Sequence, residues 1–499
     1  MSRMTLASAL DLYEVTVGME CHVQLKTKTK LFSGADNDAR DKSPNTVVSP
    51  ICFGLPGTLP VLNRHAIELA VRAGAALNAK VAEVSNFDRK HYFYPDLPKG
   101  YQITQLDRPI IGKGEIEVPF NGGSFTVGIT RAHMEEDAGK LVHPPGADYS
   151  LVDYNRAGTP LIEIVSEPDI HSAAQARAYV QELWLRMMYS GVTEGNLYYG
   201  NMRFDVNVSV AKKGSGVLGT RTETKNLNSF RSVERAVDFE FRRQVDLVEK
   251  GQKIVQETRG FNDATQKTFS QRTKEDADDY RYFPEADIPP VVLTREHIRE
   301  IHDEVATLLP AAIRARLSSR GLKPNEIETL LEADAVLQGR GYIKLIDETE
   351  DEVVRFVVNW ILNRDIASKA SDHDEKDVMA ASALPTAVQL SDVFRMYKSG
   401  KISSNNSDEL IGHLAGHDEL MAESLADEKG MLQVSDSSEL EKIIDQVLSN
   451  QASQKAVADI KAGKMNAIGF LVGQVMKESR GTANPGVVSE LVRKKLLNS

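Results

Sequence analysis

The stretch "VTVGMECHVQL", Val15 to Leu25, sets Glu20 and His22 two residues apart on an alternating ladder. Val15, Val17, Met19, Cys21, Val23 and Leu25 take one parity, and Thr16, Gly18, Glu20, His22 and Gln24 take the other. That is the pattern of a half-buried β-strand. Residues i and i+2 leave a strand on the same side, roughly 6.6 to 7 Å apart along it. The spacing suits two groups converging on one ion, and equally two side chains facing water. Other segments carry acids in the same way. In "RFDVNVSV", Phe204, Val206, Val208 and Val210 share a face opposite Arg203, Asp205, Asn207 and Ser209. "TPLIEIVSEP" sets Glu163 inside an apolar run, where an unpaired charge is costly. "TRTETKNLNSF" puts Arg221, Glu223 and Lys225 on one face, and "AHMEEDAGK" adds Glu135, Glu136 and Asp137.

The candidate set is one histidine and five carboxylates from five separated segments: Glu20, His22, Glu136, Glu163, Asp205 and Glu223. Gathered on one concave sheet, they repel each other unless cations intervene. Hard oxygen donors point to Mg²⁺ or Mn²⁺, and one imidazole leans towards Mn²⁺ or Zn²⁺. The alternative is a scatter of acids, each with its own salt-bridge partner. "NFDRKHYFYPDLPKGYQITQ" packs Arg89, Lys90, His91, Tyr92, Phe93 and Tyr94 before a proline turn. Interleaved bases and rings can stack on nucleobases and touch phosphates, or fill the edge of a core as a loop. "DDYRYFPEAD" repeats the mixture, with Arg281 between two tyrosines. Two other motifs fail. "GSGVLGTR" has Arg221 where a phosphate loop needs lysine, and it precedes a strand. "HLAGH" spaces His413 and His417 four apart, but no glutamate follows His413 as a zinc helix requires.

The elements that must position these residues are strands met in runs, which predict an antiparallel sheet with helices on one face. Strands are expected at 15–25, 125–130, 150–153, 161–165, 203–210 and 220–225. Helices are expected over 60–80, with Asn63 as N-cap, over Ser172 to Gly191, and over Ser229 to Gly251. Pro289 and Pro290 mark a boundary, and beyond them the chain reads as helical. The expected organisation is an α/β cradle domain over 1–292, an all-α domain over 293–420 and a small helical tail domain over 421–499. In the tail, Asn484 and Pro485 start a last helix with Arg493, Lys494 and Lys495 near its C-terminus, as the helix dipole favours.

With 499 residues, 41% hydrophobic and 26% charged, the chain has the composition of a soluble multidomain protein. Two cysteines exclude a disulfide framework and a four-cysteine zinc site, and fit a reducing cytoplasm. The first residues lack a basic region followed by an apolar run, so no secretory leader is expected, and no run approaches a membrane span. A net charge of −11 is the wrong sign for a general polyanion binder. Yet residues 421–450 carry seven acids and two bases, whereas 451–499 carry eight bases and three acids, so the tail could hold RNA.

The strings "VGMECHVQL", "LPGTLPVLN", "FDRKHYFYPDLPKGYQITQ", "MEEDAGK", "DYNRAGTPLIEIVSEPDI", "KNLNSFRSVERA", "DDYRYFPEADIPP", "KMNAIGFLVGQVMK" and "ANPGVVSELVRKKL" together resemble the B-subunit family of glutamyl-tRNA(Gln)/aspartyl-tRNA(Asn) amidotransferases. The resemblance implies a cradle-shaped α/β catalytic domain, a helical domain and a helical tail. It implies ATP and Mg²⁺ (or Mn²⁺) as cofactors, phosphorylation of the side-chain carboxylate of a mischarged tRNA, and amidation by ammonia. The ammonia would come from an amidase (glutaminase) partner of the same amidotransferase, assembled together with its small linker protein. It further implies one ion on His22, Glu136 and Glu163 and a weaker one on Glu20, Asp205 and Glu223. Lys90, Glu136 and Glu163 would be catalytic, Lys90 at the transferring phosphate or the ammonia path. The bases Lys477, Arg480, Arg493, Lys494 and Lys495 would contact tRNA, unless they are a solvated helix end. The chain departs from the family pattern at "LYYGNMRFD", where Tyr198 and Tyr199 stand for acids, and at "RFDVN" for "RCDAN". Cys21 falls on the apolar parity and is expected to be inert.

Overall fold

A computed structural model describes residues 6–273, 280–337, 341–366, 383–433, 437–479 and 483–497. The chain divides into two compact units, Met1–Ser319 and Arg320–Ser499. The main strands of the first unit are β1 (Tyr13–Gln24), β2 (Asp88–His91), β3 (Tyr101–Thr104), β4 (Gly114–Phe120), β5 (Gly123–Glu136), β6 (Pro160–Ser166), β7 (Met202–Lys212), β8 (Thr222–Leu227), β9 (Glu257–Asn262) and β10 (Lys267–Thr273), and the short Leu151–Asp153 pairs with Lys140–Val142. Eight of them form one sheet in the order β10-β9-β8-β7-β1-β6-β5-β4, antiparallel throughout except for the parallel pair β8–β9. The small strands β2 and β3 pair with each other, and Phe283–Pro284 adds to β2.

Alternation in β1 is realised residue by residue. Val15, Val17, Met19, Cys21 and Val23 are buried, and the intervening Thr16 to Gln24 positions are half-buried. The longer helices of this unit are α1 (Arg64–Ala76), α2 (Ala173–Tyr189), α3 (Phe230–Glu249), α4 (Arg295–Leu308) and α5 (Pro310–Ser319). The side chain of Asn63 accepts from His65 N and Ala66 N, that of Ser172 from Gln175 N, and that of Ser229 from Ser232 N. Each cap satisfies amide groups that a helix start leaves unpaired. Gly191 and Gly251 follow α2 and α3 at φ of 72° and 70°, a conformation that a side chain disfavours. Helix α3 lays Val233, Ala236, Val237 and Phe241 into the core and packs against β7 and α2. Helix α3 thereby covers part of the apolar face of the sheet, and the polar parity lies on the other face.

The chain past Pro289–Pro290 turns helical, as expected, but α4 and α5 still belong to the first unit. Helix α4 packs on α1, where Arg72 pairs with Glu304 at 2.9 Å. In the second unit, helices Ser437–Ser449, Gln454–Lys461, Ile468–Glu478 and Pro485–Leu497 close around Leu440, Ile444, Ile460, Leu471, Val475, Val488 and Val492. Asn484 Oδ1 accepts from Gly486 N and Val487 N at the start of the last helix. Among the described residues, no helix is long and apolar enough to cross a membrane.

Candidate functional site: two acidic groups on one sheet face

Strand β1 is the spine of the site. Its register with β6 sets Glu163 opposite His22, and the register of β6 with β5 sets His133 opposite Glu163. On the other side β7 sets Asp205 opposite Glu20, and β8 sets Glu223 opposite Asn207. Directly opposed residues of neighbouring strands share a face. Five strands therefore deliver their polar parity to one surface.

Two groups form there. His22, Glu135 and Glu163 bring ligand atoms within 4.8 Å of one another, and so do Glu20, Asp205 and Glu223. In the first group His22 Nε2 lies 3.5 Å from Glu163 Oε2 and 3.8 Å from Glu135 Oε1. His133 Nε2 lies 3.8 Å from Glu163 Oε2 and 3.9 Å from Glu135 Oε2. His133 Nδ1 is buried without a hydrogen-bond partner. In the second group Asn207 Nδ2 donates to Glu20 Oε1 (3.1 Å), Asn226 N to Asp205 Oδ1 (2.8 Å) and Thr258 Oγ1 to Glu223 Oε2 (3.0 Å). Lys225 Nζ stands 3.0 Å from both Asp205 Oδ2 and Glu223 Oε1.

The crowding of charge is visible in the protonation preferences. Burial lowers the His22 ring, but its hydrogen bond to Glu163 and the charges of Glu163, Glu135 and Asp205 outweigh it and hold it at about 9. Burial raises Glu163, yet His22, His133 and Lys90 hold it well below the usual carboxylate range. Its neighbour Glu135 goes the other way, raised by burial and by the Glu163 charge. Burial lowers His133 to about 4, so this ring is neutral. Glu20 is raised by burial and by Glu163. Two carboxylates driven apart beside two imidazoles whose Nε2 atoms face them fit a hard divalent cation with oxygen and nitrogen donors.

One expected residue is replaced. Glu135, not Glu136, joins His22 and Glu163. Glu136 Oε1 instead accepts from Ile103 N at 3.0 Å and pairs with Lys99, so it ties β3 to the main sheet. The reason is a register shift in β5 between Ile129 and Arg131. Val127 and Ile129 are buried before it, Ala132 and Met134 after it, so the inward parity changes from odd to even. An unbroken alternation would turn Glu136 to the polar face; a bulge moves that place to Glu135.

The remaining expected residues divide. Glu20, His22, Lys90, Glu163 and Glu223 line one polar cavity of about 330 Å³ with Tyr92, Gln102, Glu135, Arg221, Lys225 and Tyr280. Lys90 reaches it from β2, its Nζ lying 4.8 Å over the Tyr280 ring and 5.7 Å from that of Tyr92. Lys90 is held charged by Glu135 and Glu163 against the cost of burial. The first part of this basic–aromatic stretch is thus strand β2, and of the rings that follow it Tyr92 lines the cavity while Phe93 and Tyr94 are exposed. The altered Tyr198–Tyr199 segment lies elsewhere, Tyr199 under Arg40 at 5.8 Å. In the tail, Lys477, Arg493 and Lys494 are exposed, while Lys495 pairs with Asp445 at 2.6 Å within the bundle. Arg480 lies outside the described residues. His133, Lys225 and Tyr280 do not stand out in the sequence as site residues. For His133 a signal exists: it stands two residues before Glu135, the spacing that flags Glu20 and His22.

The sheet domain that bears this face has relatives among known proteins. Residues 15–299 match the model of the GatB/GatE catalytic domain, and residues 343–496 that of the GatB domain. The B-subunit of the aspartyl/glutamyl-tRNA(Asn/Gln) amidotransferase of Carboxydothermus hydrogenoformans is 42% identical over 97% of this chain and 99% of its own length. That of Geotalea daltonii is 43% identical with the same coverage. The B-subunit of the chloroplastic/mitochondrial glutamyl-tRNA(Gln) amidotransferase of Sorghum bicolor is 42% identical over 97% of this chain and 87% of its own. The chain belongs to the amidotransferase B-subunit family.

Proposed function

We propose that this chain is the subunit of a tRNA-dependent amidotransferase that activates and amidates the side-chain carboxylate of Glu-tRNA(Gln), Asp-tRNA(Asn) or both. The observation that carries the reading is the convergence of two acidic groups and three bases, Lys90, Arg221 and Lys225, on one polar cavity. A carboxylate cannot be amidated directly, because oxide is too poor a leaving group. Transfer of the γ-phosphoryl group from ATP to a carboxylate oxygen breaks the bond to ADP and forms an acyl phosphate. Ammonia then attacks the acyl carbon, inorganic phosphate leaves, and the nitrogen sheds a proton as the amide forms.

In this reading His22, Glu135 and Glu163 hold one divalent ion and Glu20, Asp205 and Glu223 a second. Mg²⁺ or Mn²⁺ bound there would supply neutralisation of phosphoryl charge and alignment of the reactants. Asn207, Asn226 and Thr258 orient the carboxylates before any ligand arrives. Lys90 presents an ammonium to anionic substrate from the opposite wall, positioned between tyrosine rings. Cys21 is buried on the apolar side of β1 and is no nucleophile for glutamine, and in this reading the nitrogen comes from an amidase (glutaminase) partner, held in the complex with a small linker protein. The exposed Lys477, Arg493 and Lys494 are offered to tRNA phosphates, and the reaction runs in the cytoplasm.

The test is γ-phosphate release from ATP by the assembled complex with Mg²⁺ and Glu-tRNA(Gln), comparing wild type with His22→Ala. Charged tRNA should stimulate release in the wild type and not in the variant, while the partner's glutaminase persists. Equal release in both proteins would remove His22 from the chemistry.

A further inference from the structure

The second acidic group contains its own cation. Each of its carboxylates has one oxygen held by a neutral donor: Glu20 by Asn207, Asp205 by the Asn226 amide and Glu223 by Thr258. The other oxygens of Asp205 and Glu223 are bridged by Lys225 Nζ at 3.0 Å each. The backbone is shaped for this bridge. The register of β7 with β8 slips between Phe204 and Val206, and Asn226 adopts a φ of 61° there. Asparagine tolerates that left-handed conformation better than most residues, and a bulge re-aims the side chains beside it. The same bulge places the Asn226 amide on Asp205 and the Lys225 ammonium between the two acids. In the first group the cation between the acids is the His22 ring, itself a candidate ligand, and the nearby ammonium, Lys90, lies over the Tyr280 and Tyr92 rings.

We propose that Lys225 is a tethered counter-cation standing in the second ion's place, so that a divalent ion enters the Glu20–Asp205–Glu223 group only by displacing it. The inference rests on the functional reading above. An ion about 2.1 Å from its carboxylate oxygens and an ammonium bridging the same oxygens repel strongly where water is scarce. The lysine has somewhere to go. Its side chain is 32% exposed and lines the cavity beside Arg221, where the anionic phosphates of the substrate would receive it. Lys225 thus positions charge. It weakens the second ion until a phosphate is present to take the ammonium.

The experiment is Mn²⁺ titration of the full chain, followed by the paramagnetic signal of the free ion, in wild type, Lys225→Met and Lys225→Ala. The wild type should bind one ion tightly and a second weakly. Lys225→Met should tighten the weaker site about tenfold or more and leave the tighter one unchanged. A merely structural lysine would loosen the site when lost. In Lys225→Ala the second site should also tighten, and millimolar ethylammonium should weaken it again by filling the vacated place. That variant keeps the test available where methionine disturbs the fold. A second-site affinity unchanged or reduced in both variants overturns the proposal alone. If neither wild type nor variants bind Mn²⁺, the functional reading falls with it.

Discussion

Thr222 and Glu223 are neighbours on β8, and they serve two quite different clusters of buried charge. On the covered side, the Thr222 hydroxyl donates to Glu240 at 2.8 Å. Glu240 has no exposed side-chain surface, and Arg243 Nη2 (2.7 Å), Arg259 Nε (3.0 Å) and the Thr268 hydroxyl complete its shell. There Glu240 and Glu257 meet two guanidinium groups, so the charges balance. On the open side Glu223 joins Glu20 and Asp205, where one ammonium bridges Glu223 and Asp205, with Glu135 and Glu163 beyond. A buried acid with its donors complete holds a fold together. Acids that outnumber their donors, held in place by neutral hydrogen bonds, store a demand for cations. The imbalance, more than the acidity, marks the working face.

Breaking the covered cluster should have the largest effect. Glu240→Ala leaves Arg243 and Arg259 with Glu257 alone, removes the buried acid that Thr222 and Thr268 also bind, and should cost about 3–5 kcal/mol of stability in denaturant titration. A loss under about 1 kcal/mol would show that the two sides are not opposites. On the open side Glu135→Gln should lower tRNA-stimulated ATP cleavage about a hundred- to a thousandfold. The same change should leave the stability of the ion-free protein unchanged or raised, because it removes a like charge. Its neighbour sharpens the contrast. Glu136→Gln should lose about 1–3 kcal/mol of stability through the Lys99 and Ile103 contacts and keep Mn²⁺ binding intact. Mn²⁺ binding lost in Glu136→Gln and retained in Glu135→Gln would reverse the assignment.

Acid should distinguish the two sides as well. Burial raises Glu240, but Arg243, Thr268 and Arg259 hold it below the usual carboxylate value. Its contribution to stability is therefore fully present above the unfolded value of about 4.3 and is lost as pH falls through the lower folded one. Glu240→Gln should flatten that acid limb in a pH series of unfolding midpoints, and a limb of unchanged slope would place the linkage elsewhere. The smallest effects belong to the tail. Lys495→Ala should cost about 1 kcal/mol or less through its pair with Asp445. Arg493→Ala and Lys494→Ala should leave stability alone and each reduce the salt dependence of tRNA binding by about one counterion or less. Salt slopes unchanged in both would make that helix end merely solvated.

Much of this is legible in the residues. The parity of β1 puts Glu20 and His22 on one face because a strand alternates whatever it pairs with, and the same rule puts Glu163, Asp205 and Glu223 beside them. Caps at Asn63, Ser172 and Ser229 and glycines after α2 and α3 are readable because they are local hydrogen-bond and φ requirements. The strands β2, β3, β4, β9 and β10 are not. They are short, or rich in polar and turn-forming residues, and their pairing comes from partners far along the chain. Lys495 reads from sequence as a tRNA contact, yet its acid lies 50 residues away on another helix of the bundle.

The sequence by itself determined which residues carry charge, which segments alternate, and to which family they belong. Only the tertiary structure decided which of two adjacent glutamates meets His22. A single slipped register at β5 reverses the faces of every residue after it, and that slip is set by pairing with β6. It also decided that Lys225 lies between Asp205 and Glu223 while Lys90 lies over tyrosines. A side chain's charge is a property of its type, but what that charge compensates depends on which strands the sheet makes neighbours.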